Sequence, residues 1–249
     1  MAKIFITGST DGLGYLAARL LLSQGHEVVL HARNAERAQQ VQKKFSGEEK
    51  VLIADLSNIE ETKILASEVN AIGSFDAIIH NAGVNQVTNE VIFAVNTLAP
   101  YILTCLIKKP KRLIYISSGM HLHGNPNMEP LADVTKRASH YPTYSDSKLH
   151  VLMLCKAVSR KWPEVYANAV EPGWVPTKMG GAGAPDNLEK GYQTQAWLAV
   201  SNDYAAKVSG CYFFHQRQKD YLFAADDPAL QEKFLTVCEK ISGVSFPDD

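Results

Sequence analysis

Short apolar runs rich in β-branched residues recur along the chain, each followed by a longer stretch whose apolar positions return at helical spacing. A short run of the first kind suits a strand buried on both faces and a stretch of the second an amphipathic helix, so their alternation predicts a parallel sheet covered by helices. Seven strands are expected: Lys3 to Thr7, Glu27 to His31, Lys50 to Ala54, Asp76 to His80, Arg112 to Ser117, Val165 to Val170 and Gly210 to Phe213. Between them, Leu13 to Ser23, Ala35 to Phe45, Asn58 to Asn70, Asn89 to Ile107, Tyr144 to Lys161 and Asn187 to Ser201 read as helices, and Pro228 to Ile241 as a last one. Two stretches break the rhythm. Met120 to Thr143 carries Gly124, Pro126, Pro130 and Pro142 without a period, and Lys178 to Asp186 is rich in glycine and alanine. Long loops inside a compact domain are usually functional, so segments at about 119–143 and 178–190 are expected to flank a substrate. No repeat or linker interrupts the pattern, and residues 1–249 are expected to form one domain.

Composition narrows the function. With 46% hydrophobic and 20% charged residues the chain suits one large soluble core. Its formal net charge of -1 supplies no positive field for nucleic acid or an anionic membrane. The four cysteines (Cys105, Cys155, Cys211, Cys238) form no C-x-x-C pair, which excludes a zinc ribbon or disulfide scaffold and suits a reducing compartment. The apolar run after Met1 is too short for a signal peptide and no stretch matches a membrane span, so a cytoplasmic location is expected.

Directly after the first strand comes Thr7-Gly8-Ser9-Thr10-Asp11-Gly12-Leu13-Gly14, opening a helix. Gly8 permits a tight turn, Gly12 lets backbone approach a diphosphate, and Gly14 allows close helix packing, while the helix N-terminus offers free N–H groups and a positive dipole. Whether the dinucleotide carries a 2′-phosphate is decided after the second strand, where an acid would bind a ribose hydroxyl. Here the chain reads His31-Ala32-Arg33, with no acid and a guanidinium suited to phosphate, which predicts NADP(H) over NAD(H). Asp11 in the loop would oppose the phosphate.

Tyr144-Ser145-Asp146-Ser147-Lys148 sets a tyrosine and a lysine four residues apart, on one helix face. An ammonium beside a phenol stabilises the phenolate and brings it toward the working range of an acid or base. Around this pair stand His80-Asn81-Ala82-Gly83 after the fourth strand, Asn96 in the next helix, Ser117-Ser118 after the fifth strand and Pro172-Gly173 after the sixth. Glycine loop, N-A-G turn, helix asparagine, serine, Y-x-x-x-K and P-G occur in the order of the short-chain dehydrogenase/reductase family, which the chain resembles from Lys3 to about Gly243.

The resemblance implies a single-domain α/β Rossmann fold, a doubly wound seven-stranded parallel sheet with helices on both faces. It implies an enzyme interconverting a carbonyl and an alcohol with NADP(H), in which Tyr144 gives or takes the proton and Lys148 lowers its pKa and holds the nicotinamide ribose. Ser118 would bind the substrate oxygen, with Ser117 the alternative, and Asn96 would link Lys148 to solvent through water. Cofactor contacts are implied for Gly8, Ser9, Thr10, Asp11, Gly12, Leu13, Gly14 and Arg33. Others are implied for Asp55 and Leu56 beside adenine, for Asn81, Ala82 and Gly83, and for Pro172, Gly173, Trp174, Val175 and Thr177 at the nicotinamide. Homodimers or homotetramers are common in the family, and monomers occur in the branch this chain resembles.

Two features depart from the pattern: His80 replaces the first asparagine of N-N-A-G, and Ser118 and Tyr144 lie 26 positions apart, about twice the usual separation. The extra length resembles the branch of retinol dehydrogenases and protochlorophyllide reductases. Met120, Leu122, Met128, Leu131 and Tyr141 in this insertion, with Trp174 and Val175, are expected to wall an apolar pocket for a lipophilic ketone or aldehyde. Gly180, Gly181 and Gly183 suggest a lid that is mobile without ligand. His121, His123 and His140 lack an acid or cysteine to complete a metal set and read as loop histidines facing substrate. A regulator that binds NADP(H) without turnover is the main rival reading; it would not need serine, tyrosine, lysine and asparagine together.

Overall fold

The computed structural model describes residues 1–45, 49–133, 137 and 139–247. Seven of the apolar runs pair in parallel: β1 (Lys3–Ile6), β2 (Glu27–Ala32), β3 (Val51–Ile53), β4 (Ala77–His80), β5 (Arg112–Ile116), β6 (Tyr166–Glu171) and β7 (Tyr212–Phe214). Their order is β3-β2-β1-β4-β5-β6-β7, and β7 is followed at the edge by an antiparallel strand, β8 (Arg217–Gln218). This eighth strand is an addition to the seven expected. Two polar residues show no apolar alternation, and only the hairpin turn at His215 and Gln216 brings them to the sheet.

The helices are α1 (Gly12–Ser23), α2 (Ala35–Gln42), α3 (Ile59–Ile72), α4 (Asn89–Phe93), α5 (Ala99–Leu106), α6 (Glu129–Ala132), α7 (Tyr144–Lys161), α8 (Leu188–Val200) and α9 (Pro228–Ser242). Caps explain where several begin. The Asn34, Asn58 and Asn187 side chains each accept a first-turn N–H, and Thr143 forms a reciprocal capping box with Asp146. The single helix expected over Asn89 to Ile107 is instead α4 and α5 joined by a π turn at Ala94–Leu98, with Asn96 at its centre. This helical run is apolar and long enough to cross a membrane, yet most of it is buried inside the protein. The loop expected over Met120 to Thr143 contains most of a 3₁₀ turn (Gly119–His123) and α6; residues 134–136 and 138 of that loop lie outside the described residues.

Alternate residues of each strand enter different cores. Ile4 and Ile6 join Leu21, Ala196 and Leu198 under α1 and α8, whereas Phe5 joins Leu65, Ile102, Leu152 and Phe234 under the opposite helices. Each fully buried side chain of this kind contributes roughly 1.5–3 kcal/mol. The chain changes direction between β1 and β4, so the carboxyl ends of these strands open a crevice, the place where such sheets bind ligands.

Arg112 anchors the opposite end. Its buried guanidinium donates to the carbonyls of Leu198 and Ser201, both at 2.7 Å, and so closes the C-terminus of α8 onto β5. Charge-assisted bonds of this kind contribute about 1.5–3 kcal/mol. Arg112→Met is expected to lower the unfolding free energy in urea by about that amount with an unchanged m-value; a loss below roughly 0.5 kcal/mol would show that the carbonyls find other partners.

Candidate active site

The glycine loop is built by close backbone approach. Gly8 has φ +63°, and a Cβ on it would lie 2.9 Å from the Ala82 Cα. A Cβ on Gly14 would lie 2.3 Å from the Asn81 Nδ2, because that amide donates to the carbonyls of Thr7 and Gly8 at 3.0 and 3.1 Å. Thr7 Oγ1 accepts from the N–H groups of Asn81 and Ala82, both at 3.0 Å. The turn after β4 is thereby locked to the turn after β1, and His80 is left in the core, stacked on Tyr115.

His31, not singled out as a site residue from the sequence, holds the loop from the other side. Gly8 N–H donates to its Nδ1 at 2.9 Å, so the proton sits on Nε2 and is donated to the Ala54 carbonyl at 3.0 Å. Burial holds this imidazole neutral, with a pKa lowered to about 4. Ser9 Oγ donates to the Ile6 carbonyl and accepts from His31 N–H, so the Ser9 hydroxyl serves the fold and does not face the crevice. Thr10, Gly12 and Leu13 remain along the crevice, half-buried. Asp11 accepts from Gly12 N–H and pairs with Lys178 at 2.5 Å, which holds its carboxyl below the ordinary range and offsets the charge expected to oppose a phosphate. Arg33 is exposed immediately after buried Ala32. After β3, Asp55 caps Ser57 while Leu56 is core.

The two serines after β5 point opposite ways, as successive residues of an extended chain must. Ser117 Oγ is buried and donates to the Lys148 carbonyl at 2.8 Å, whereas Ser118 accepts from Met120 N–H and its side chain acts on the Tyr144 phenol. Burial raises the Tyr144 pKa, against the lowering by Ser118. Lys148 is buried, its Nζ donating to the Ile116 carbonyl at 2.9 Å and standing 5.4 Å from the Tyr144 ring centroid, and burial lowers its pKa to about 8. Here the ammonium lies under the ring and makes no bond to the phenol oxygen. Asn96 clamps the turn after β4 to α7: Oδ1 accepts from Val84 N–H at 2.8 Å, and Nδ2 donates to the Val84 carbonyl and to Ser147 Oγ, both at 3.0 Å. A Cβ on Gly83 would lie 3.3 Å from Lys148 Nζ and 3.6 Å from Asn96 Oδ1, so these three meet at one point.

The flanking loops correct part of the expected pocket. Met128 and Leu131 belong to the core and Tyr141 packs against it, because α6 folds that part of the insertion onto α9. Met120, Leu122, Trp174 and Met179 are the exposed apolar residues of the two loops. Val175 is buried and Thr177 lies against Gly12. The glycine-rich segment is tied: Trp174 N–H donates to Asp186 Oδ2 at 2.6 Å, the Asp186 N–H returns to the Trp174 carbonyl at 3.0 Å, and the indole N–H donates to the Gly180 carbonyl at 2.7 Å. Gly173, at φ +88°, leaves room for Asp186.

His121 is not a substrate-facing loop residue. Leu222 N–H donates to its Nε2 at 3.1 Å, so Nδ1 carries the proton and donates to the Ser118 carbonyl at 2.7 Å. Tyr212 packs tilted against this ring and donates to Glu171 Oε2 at 3.1 Å, and Lys219 Nζ completes that carboxylate at 2.9 Å. Glu171 was missed from the sequence; its one signal was an acid closing the apolar strand before Pro172-Gly173.

Residues 2–129 match the family model for the short chain dehydrogenases. An uncharacterized oxidoreductase of Emericella nidulans is 45% identical over 99% of both chains, and a short-chain dehydrogenase of Penicillium rubens is 43% identical over 99% of this chain and all of its own. Human retinol dehydrogenase 13 is 26% identical over 98% of this chain and 85% of its own. A solved short-chain dehydrogenase from Shigella flexneri, complexed with NADP, superposes with a TM-score of 0.68 at 21% identity, over 87% of this chain and 97% of that one. From its glycine loop to its Y-x-x-x-K helix, the chain belongs to the short-chain dehydrogenase family of oxidoreductases.

Proposed function

We propose that the protein is an NADP(H)-dependent carbonyl reductase acting on a lipophilic ketone or aldehyde, the reverse alcohol oxidation using the same groups. The observation that carries this reading is the Ser118–Tyr144 hydroxyl pair over buried Lys148, opening on the glycine crevice. The crevice suits a dinucleotide. Gly8 and Gly12 take left-handed backbone, a side chain at Gly12 would meet nothing closer than 3.8 Å, and α1 directs its free first-turn N–H groups there. NADP(H) is supported by exposed Arg33 after β2, with no acid beside it, and by the NADP complex of the Shigella flexneri relative.

When bound, the nicotinamide supplies or accepts the hydride. The phenol of Tyr144, kept protonated by burial, is suited to give its proton to the carbonyl oxygen, and Ser118 donates a hydrogen bond to the same oxygen as charge builds on it. Lys148, easily deprotonated for a lysine, lies under the phenol ring, 5.4 Å from its centroid, as the nearby proton source. Gly83 and Asn96 keep its Nζ between the two turns. Exposed Met120, Leu122, Trp174 and Met179 support an apolar substrate body. A sensor without turnover would not require the paired hydroxyls.

Tyr144→Phe is expected to reduce kcat by ~10²- to 10⁴-fold while NADPH affinity, read by fluorescence titration, stays within twofold. Retention of half the wild-type kcat would remove Tyr144 from the chemistry. For the cofactor, Arg33→Ala should cost about 1.5–3 kcal/mol in kcat/KM with NADPH and little with NADH; equal losses with both would refute the 2′-phosphate assignment.

A further inference from the structure

A cavity of about 780 Å³ lies between α8 and the β7–β8 hairpin, outside the crevice described above. Lys190 from α8, Arg217 from β8 and Lys219 just beyond it line this space, and none of its lining residues is acidic. Lys219 is engaged by Glu171, whereas Lys190 and Arg217 form no ion pair among the described residues. His215 stands at the hairpin tip, its ring 3.7 Å from that of Phe214, and its Nε2 is shielded from solvent without a hydrogen-bond partner. A shielded imidazole nitrogen with no partner is costly unless something else satisfies it.

The turn that presents this histidine is strained. His215 and Gln216 have φ of 49° and 63°, the two positions where a two-residue hairpin favours glycine or asparagine. Non-glycine residues held there are strained and cluster at active sites, ligand clamps and switch regions. Gln216 N–H donates to Thr194 Oγ1 at 3.1 Å, fixing the turn to α8 and holding the cavity open between them.

The cavity adjoins the candidate active site through one side chain. Lys219 holds Glu171 Oε2, while Glu171 Oε1 lies 2.6 Å from where a Cβ on Gly119 would stand, and Gly119 follows Ser118. We propose that this cavity takes the anionic end, a carboxylate or a phosphate, of the substrate whose carbonyl meets Ser118 and Tyr144. The inference rests on the reductase reading above. Lys190 and Arg217 would make charge-assisted bonds to the anion. The substrate is then an amphipathic oxo acid or oxo phosphate: an anion at the hairpin, an apolar body along Met120 and Leu122, and a carbonyl at Tyr144.

Two measurements test it. Titration calorimetry of inorganic phosphate and of succinate into the cofactor-free protein should show saturable binding, weakened at least fivefold by Arg217→Gln or Lys190→Gln and unchanged by Tyr144→Phe. With NADPH, kcat/KM for a medium-chain oxo acid should exceed that for its methyl ester at least tenfold, and Arg217→Gln should bring the ratio near one without lowering turnover of the ester. Absence of anion binding overturns the site. Anion binding with equal turnover of acid and ester means that a free anion occupies the cavity, and overturns the assignment to substrate. If anions bind but neither compound is reduced, the reductase reading and the substrate assignment fall together while the anion cavity stands.

Discussion

Two turns of backbone, after β1 and after β4, press so closely together that a methyl group at Gly8 would meet the Ala82 Cα at 2.9 Å. That contact sets the spacing of the crevice. Thr7 and Asn81 supply its hydrogen bonds, and neutral His31 ties the same loop to β2 and to the end of β3. Because His31 accepts from Gly8 only while unprotonated, its burial is part of the loop's geometry. The direction of α1 and the place of its free N–H groups follow from this join.

On the other side of the crevice, burial acts on charge. It keeps the Tyr144 proton on and makes the Lys148 proton easier to lose, so the two groups move apart in acidity and the ammonium becomes the stronger acid. The π turn at Asn96 makes this arrangement possible. It carries an amide, satisfied at both atoms, into the space between Val84 and Ser147, where a regular helix would present a different register.

The strands, the glycine loop and the Y-x-x-x-K helix were legible because each follows from a local rule: alternation of apolar runs, glycine at turns, and helical spacing of Tyr144 and Lys148. What was not legible depends on partners distant in the chain. Whether Ser117 or Ser118 faces outward turns on the register of β5 against its neighbours. Met128 and Leu131 are apolar whether they wall a pocket or fill a core, and only the fold of α6 onto α9 decides it. His121 looks like a loop histidine until Leu222, about a hundred positions later, donates to its ring. Glu171 carries no motif at all; its meaning comes from Tyr212 and Lys219.

The short hairpin that ends the sheet has a consequence for association. An uncovered β7 would present a row of unpaired N–H and C=O groups, a template on which a second sheet could continue. β8 occupies that row with two exposed residues, Arg217 and Gln218, and Lys219 follows. Charge and brevity make it a poor template in turn. Sheet growth is therefore disfavoured on this side.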